Sequence, residues 1–304
     1  MSEFDNPHIY RTVLESLLTG VYLVDRDQKI VFWNDGAERI TGYLRQDVVG
    51  RSCRGDVLAL DEAKNRFVSE AHDAIWAVLR DGKPAVANIS VRHKDGHRVL
   101  VRLRAVPIRN GHGTVIGAAE SFEESLAVSE WDRRHARLAA YGCLDETTGL
   151  LKQEFTMSRL RQTLATFENY RIPVSVLAIQ LDQTDEFRVM YGPGAVAAIV
   201  RAVGHTLEHS LRPTDMLGQG VTTQFLAILP ECRESEIQKV AERLRKMVTY
   251  AEIQWWGKEL TVTASIGGAA VRPGDSAESL AERAEQSLTR SVAAGGNCVT
   301  VLSQ

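Results

Sequence analysis

The sequence predicts an α+β chain of two domains, on three observations. Its 304 residues exceed one ordinary domain and suit two. Up to about residue 122 the apolar runs come in the order strand, strand, helices, three strands, with period-2 alternation on both sides of Asp95-Gly96. From Asp145 onward helices and strands alternate instead.

Along the chain, an amphipathic helix is expected around residues 8–18. "GVYLVD" and "KIVFWN", parted by Arg26-Asp27-Gln28, read as a hairpin. "DGAERITGY" reads as a short helix with Asp35 as N-cap and Gly42 at its end. "DEAKNRFVSEAHDAIWAVLRDG" reads as a longer helix, with Phe67, Ala71, Ile75 and Val78 at helical intervals before Gly82. "AVANISVRHKDGHRVLVRLRAVPI" is a second hairpin, and "TVIGAAESF" follows the turn Asn110-Gly111-His112-Gly113. The expected product is a five-stranded antiparallel sheet with helices over one face, and Trp33 and Trp76 in its core or pocket wall.

Residues 123–142 are charged, free of proline and expected to form a helical connector. Val128, Trp131 and Leu138 fit a heptad that His135 breaks, which leaves a solvated connector and a dimer seam both open. Beyond it come a helix near 152–168, the strand "VSVLAIQLD", a helix near 194–211 and a hairpin in "LRPTDMLGQGVTTQF". A helix near 233–249, the strand "LTVTASIGGAAV", a helix near 277–293 and the strand "CVTVL" complete the order. A ferredoxin-like βαββαβ arrangement with additions fits it.

A composition 44% hydrophobic and 25% charged is that of soluble globular protein. A net charge of −3 argues against nucleic acid as a partner. Cys53, Cys143, Cys232 and Cys298 are scattered without a C-x-x-C pair, so packing rather than zinc or a disulfide framework is expected of them. The acidic N-terminus lacks signal-peptide features, and no apolar run approaches the ~18 residues of a membrane span, so the expected address is the cytoplasm, without a membrane partner.

With "GVYLVDRDQKIVFWNDGAERITGY" at its start and "DGHRVLVRLRAVPIRNGHGTVIGAAESF" at its end, the segment 8–122 resembles a PAS sensor domain. The resemblance implies a pocket that holds haem, flavin, a small metabolite or nothing. His72 is the candidate haem axial ligand, and Cys53 lacks the context of a flavin-adduct cysteine.

"DETTGLL" (145–151), "ASIGGAAV" (264–271) and "AEQSLTRSVAAGGN" (284–297), in that order around the hairpin, resemble a GGDEF domain, the diguanylate cyclase fold, over residues 143–304. The resemblance implies metal, base and phosphate contacts at set positions, and the residues there depart from the pattern. The first aspartate of the D-x-D pair is Gln180, with Asp182 second; the guanine-recognising positions hold Arg188 and Ala197. The signature turn is Val221-Thr222-Thr223-Gln224-Phe225, with Thr223 in place of the metal-binding acid. Val292 and Gly296 stand where the family has its phosphate-contacting lysine and arginine. These substitutions lead to the expectation of a domain that is not an enzyme and has no metal or catalytic residues.

Arg212-Pro213-Thr214-Asp215 matches the R-x-x-D of the family's product site, five residues before the signature turn. The resemblance therefore implies cyclic di-GMP binding by Arg212 and Asp215, helped by Arg243 or Arg245. A bound dimer of the nucleotide could join two copies of the domain, and a homodimer is expected. His93 and His97 read as hairpin decoration, His205 and His209 as a solvated helix face, and Trp255-Trp256 as partly exposed, capable of supporting an interface. The expected function is a PAS-regulated cyclic di-GMP receptor acting on an unidentified downstream protein. The alternatives are a pure interaction module and residual cyclase activity.

Overall fold

The computed structural model describes residues 7–53, 75–124, 138–139 and 141–302. Phe67, Ala71, His72, Val128, Trp131 and His135 lie outside the described residues. The chain divides into two compact units, Met1–Leu126 and Ala127–Gln304, each built on its own five-stranded sheet.

The first unit opens with helix α1 (Pro7–Ser16), followed by the hairpin β1 (Gly20–Asp25) and β2 (Ile30–Trp33). Helices α2 (Asp35–Thr41) and α3 (Arg45–Val48) come next, then helical residues 75–81, then strands β3 (Ala85–Arg92), β4 (Arg98–Arg109) and β5 (Val115–Glu124). The sheet order is β2-β1-β5-β4-β3, antiparallel throughout. Tyr22, Trp33 and Phe122 pack ring against ring on its interior face, with centroids 5.5 to 6.3 Å apart. Trp33 is fully buried as expected, whereas Trp76 is 44% exposed and is not a core residue.

The N-cap of α2 is Asn34, not Asp35. Asn34 has the extended backbone a cap requires, and its Oδ1 accepts from Ala37 N at 2.8 Å and from Val21 N at 2.7 Å. Its amide donates to the carbonyls of Leu14 and Thr19, each at 2.9 Å. One buried side chain thus ties α1, β1 and α2 together.

In the second unit α4 (Gln153–Tyr170) precedes β6 (Val174–Leu181), α5 (Thr184–Ser210), the hairpin β7 (Met216–Gln219) and β8 (Gln224–Pro230), and α6 (Glu234–Val248). A second hairpin, β9 (Glu252–Trp255) with β10 (Lys258–Thr261), leads to β11 (Ala264–Ala270), α7 (Ala277–Ala293) and β12 (Val299–Val301). The main sheet runs β12-β11-β6-β8-β7, the βαββαβ order with β12 added parallel to β11. At Gly267 an added Cβ would lie 2.0 Å from Leu288 N, so the glycine lets α7 sit directly on β11.

Two expectations change here. The helix expected near 194–211 begins at Thr184 and breaks at Gly192 (φ 81°, ψ 172°), where Pro193 starts a second segment because it has no N–H to continue the first. The single strand expected in "LTVTASIGGAAV" is two. Trp256 (φ 51°) and Gly257 (φ 77°) make the left-handed turn that folds β10 back on β9, while β11 joins the main sheet. Among the described residues no helix is long and apolar enough to cross a membrane.

Candidate functional site

The hairpin β7–β8 has a loop before it and a cleft beside its turn. In the loop, α5 ends at Ser210 and Pro213 prevents its continuation. Asp215 Oδ2 accepts from Arg212 N at 2.9 Å, and Asp215 N donates to Arg212 O at 3.0 Å, so the two sequence-predicted residues hold each other's backbone. Burial pushes the half-buried Asp215 carboxyl above its ordinary value, opposed by the Arg212 N–H and by the charges of Arg212 and Arg243.

Arg243, from α6, donates through Nη2 to Ser210 O at 3.0 Å, and its Nε is buried without a hydrogen-bond partner. Burial lowers its proton affinity while Asp215 opposes that shift. Arg245 turns elsewhere, donating to Asn297 Oδ1 at 2.6 Å and Glu242 Oε2 at 3.0 Å. Of the two arginines open in the sequence, Arg243 is the one that joins the loop. A small cleft of about 50 Å³, lined by Leu144, Leu151, Leu211 and Met216, adjoins Arg212 and Asp215.

Beside the hairpin turn lies a cleft of about 460 Å³ lined by Thr147, Thr148, Arg188, Ala197, Gln219 and Thr222. Arg188 and Ala197 of α5 thus line one cleft with Gln219, Gly220 and Thr222 of the hairpin. The turn is closed by Gly220 N to Gln224 O at 2.8 Å, with Thr222 in the left-handed region at φ 52°. Gln224 Nε2 donates to Gln180 Oε1 at 3.2 Å, and Leu181 N donates to Thr223 O at 3.1 Å. Val292 stands 40% exposed near the end of α7, and Gly296 lies where an added Cβ would meet the Asp182 carboxyl at 3.3 Å.

Asp182, at the end of β6, accepts from Thr263 Oγ1 at 2.6 Å, Ser265 Oγ at 2.7 Å and Asn297 N at 2.9 Å. Gln180, Asp182 and Thr223 therefore offer one carboxylate, already engaged on both oxygens, and this donor set does not fit the divalent cation the family uses. Among the described residues no group of three His, Cys, Asp or Glu is placed to hold a metal ion.

Sequence reasoning missed Gln219, Thr147 and Thr148 in the cleft, and the donors Thr263, Ser265 and Asn297 around Asp182. Thr147, Thr148, Ser265 and Asn297 lie inside the quoted motifs, which assign them no role, and Gln219 and Thr263 lie outside those motifs; only the folded sheet collects them. It also missed Glu120, fully buried on the first sheet's interior face, where Tyr22 Oη donates to Oε2 at 2.5 Å and Oε1 has no partner. Burial pushes its carboxyl up to about 8. The signal was available: Ala118, Glu120 and Phe122 share one parity in β5, and that parity faces the core.

His93 and His97 stack at 4.2 Å across the β3–β4 turn. His205 and His209 are half-buried rather than solvated, with His209 Nδ1 2.7 Å from His205 O, because that part of α5 packs into the unit. Trp255 is half-buried, while Trp256, on the turn, is 91% exposed.

The model of the diguanylate cyclase GGDEF domain matches residues 143–298, and that of the PAS fold matches residues 9–120. Diguanylate cyclase A of Treponema denticola is 31% identical over 129 residues, covering 42% of this chain and 35% of that protein. Diguanylate cyclase DosC of Escherichia coli is 26% identical over 146 residues, covering 48% of this chain and 32% of that one. The chain thus spans about a third of the length of these curated relatives. Among solved structures, the GGDEF domain of DgcB from Caulobacter crescentus in complex with c-di-GMP is similar with a TM-score of 0.51 at 22% identity, over 52% of this chain and 95% of that one.

These findings correct the expectation of a domain that is not an enzyme. The matching model is that of diguanylate cyclase and the curated relatives carry that name, so the comparisons point to a cyclase. Arg188, Ala197 and Thr222 line an open cleft of about 460 Å³ beside the hairpin turn. With its second sheet in βαββαβ order and the family match extending over more than half its length, the chain belongs to the GGDEF family, its diguanylate cyclase domain preceded by a PAS domain.

Proposed function

We propose that this is a signalling protein in which a PAS domain, residues 8–122, acts through a connector, residues 123–142, on a GGDEF domain that binds cyclic di-GMP with Arg212, Asp215 and Arg243. The observation that carries this reading is Asp215, a partly desolvated carboxylate facing two guanidinium groups, one of which has a buried Nε without a partner. A guanine edge donates N1–H and its amino group to such a carboxylate, while the arginines fork onto phosphate or base oxygens. The c-di-GMP bound in the DgcB structure supports the reading by fold likeness. Two copies of the chain joined by the nucleotide, in the cytoplasm where such a messenger is met, complete it.

Calorimetry with cyclic di-GMP tests it. Binding in the micromolar range that weakens at least about tenfold in Arg212→Ala and in Asp215→Ala is expected, since each removes a charge-assisted pair. Absence of heat in the unsubstituted protein would refute it. Binding is also expected to weaken on acidification, because a protonated Asp215 cannot accept two donors.

A second reading, joining of two GTP molecules, is supported by the names of the relatives and by the open cleft at the hairpin turn. Chromatographic detection of cyclic di-GMP formed from GTP and Mg²⁺, lost in Asp182→Ala, tests it.

A further inference from the structure

We propose that the first unit is a proton-responsive sensor, in which the proton of Glu120 holds the end of β5 closed and its loss releases the strand that runs out into the connector. The sensor is independent of the Arg212 loop.

One register row crosses all five strands at this acid: Trp33 on β2, Tyr22 on β1, Glu120 on β5, Ala105 on β4 and Ala85 on β3. The neighbour on β1 supplies a phenol, which donates to Oε2 at 2.5 Å, whereas the neighbour on β4 is an alanine and supplies nothing. Oε1 is buried without a partner. Tyr22 is the titratable group in contact with the acid, and Cys53, also fully buried, acts on the phenol in turn. The other elements of the same core, β2, β4, α2 and the helical residues 75–81, present Trp33, Ala105, Ile40 and Val78. Burial holds the Tyr22 phenol well above its ordinary value, so it stays a donor while the acid titrates.

A neutral carboxyl suits these surroundings. Once ionised, Oε1 needs a donor that the core does not offer, and water reaches it only where the packing parts. The ladder marks that place. Phe122, on the face of Glu120, packs on Tyr22 and Trp33 with centroids 6.0 and 6.3 Å apart, and it is the last residue of β5 paired with β1, through Gly20. Glu123 and Glu124 pair with β4 alone, and the connector begins there in the chain. The closed carboxyl is raised by burial from 4.5 to about 8, opposed by the phenol, whereas an opened and hydrated one returns to its ordinary value. The closed strand therefore binds the proton more tightly. As pH rises from about 5 the balance moves toward opening, and it levels off above about 8.

Two measurements on the full chain test this. Infrared spectroscopy should show a protonated carboxyl band that bleaches with a midpoint near pH 8 and is absent in Glu120→Gln. Hydrogen exchange at Phe122 to Glu124, taken relative to Glu120→Gln at the same pH, should rise at least about tenfold between pH 6 and pH 8, while α2 does not follow. Tyr22→Phe keeps the ring and removes the donor to the carboxylate, so the infrared midpoint should move up by about one pH unit. That variant keeps the test open if Glu120→Gln does not fold. A carboxyl already ionised at pH 6, no rise in exchange relative to Glu120→Gln, a rise shared equally by α2 and β5, or a midpoint unmoved in Tyr22→Phe overturns the proposal. The equal rise would mark a general loosening of the unit rather than release of its output strand.

Discussion

Each of the two sheets carries an acid, and the two are treated oppositely. Asp182, at the end of β6, has two hydroxyls and a backbone N–H on its oxygens. Glu120, in the middle of β5, is fully buried with one phenol on Oε2 and nothing on Oε1. The difference lies in position. A strand end meets loop and neighbouring-strand donors, whereas the middle of a sheet's interior face meets aromatic and aliphatic side chains that, apart from the Tyr22 phenol, have none to give. A saturated polar group is therefore a structural joint, while a half-satisfied one in apolar surroundings is a standing cost.

Asn34, the most fully satisfied of these groups, sharpens the contrast most. Asn34→Ala strands the donors of Val21 and Ala37 and the carbonyls of Leu14 and Thr19, and is expected to destabilise the first unit by about 4 kcal/mol in chemical denaturation.

Glu120→Gln should act in the other direction. With its carboxyl raised from 4.5 to about 8, the folded state keeps a proton between those values that the unfolded chain loses. Stability falls as pH rises through that window, by up to about 1.4 kcal/mol per unit. The amide cannot ionise, so the variant is expected to flatten the pH dependence and to be more stable at pH 8 by about 4 kcal/mol. Unfolding curves at pH 5 and pH 8 decide it, and an unchanged slope would break the comparison.

Asp182→Ala leaves three donors without their acceptor, at an expected cost of about 2 kcal/mol to the second unit, read by the denaturation midpoint. Asp182→Asn should cost less, since one oxygen remains.

The smallest effect concerns two arginines on one helix. Arg243→Ala should weaken cyclic di-GMP binding about tenfold, and Arg245→Ala, which faces Asn297 instead, by less than twofold. Equal losses in calorimetry would contradict the assignment of Arg243 to the loop.

Much of the fold was legible in the residues. Alternation around Asp95-Gly96 yielded β3 and β4, and the helical spacing of "AESLAERAEQSLTRSVA" led to α7 with both ends in place. What escaped was local competition. Asn34 outranked Asp35 as a cap because its amide can donate as well as accept, and β10 separated from β11 because Trp256 adopts a left-handed backbone that no pattern announces.

By itself the sequence determined most of the elements and their order, the β9–β10 hairpin excepted, together with the R-x-x-D spacing, since these depend on periodicity and chemistry within short stretches. Only the tertiary structure decided that Arg243 rather than Arg245 faces Asp215, that Arg188 and Gln219 share one cleft, and that Asp182 is saturated while Glu120 is not. Each of those facts joins groups far apart along the chain. Their energies depend on which groups exclude water from one another, a property that exists only once the sheets have closed.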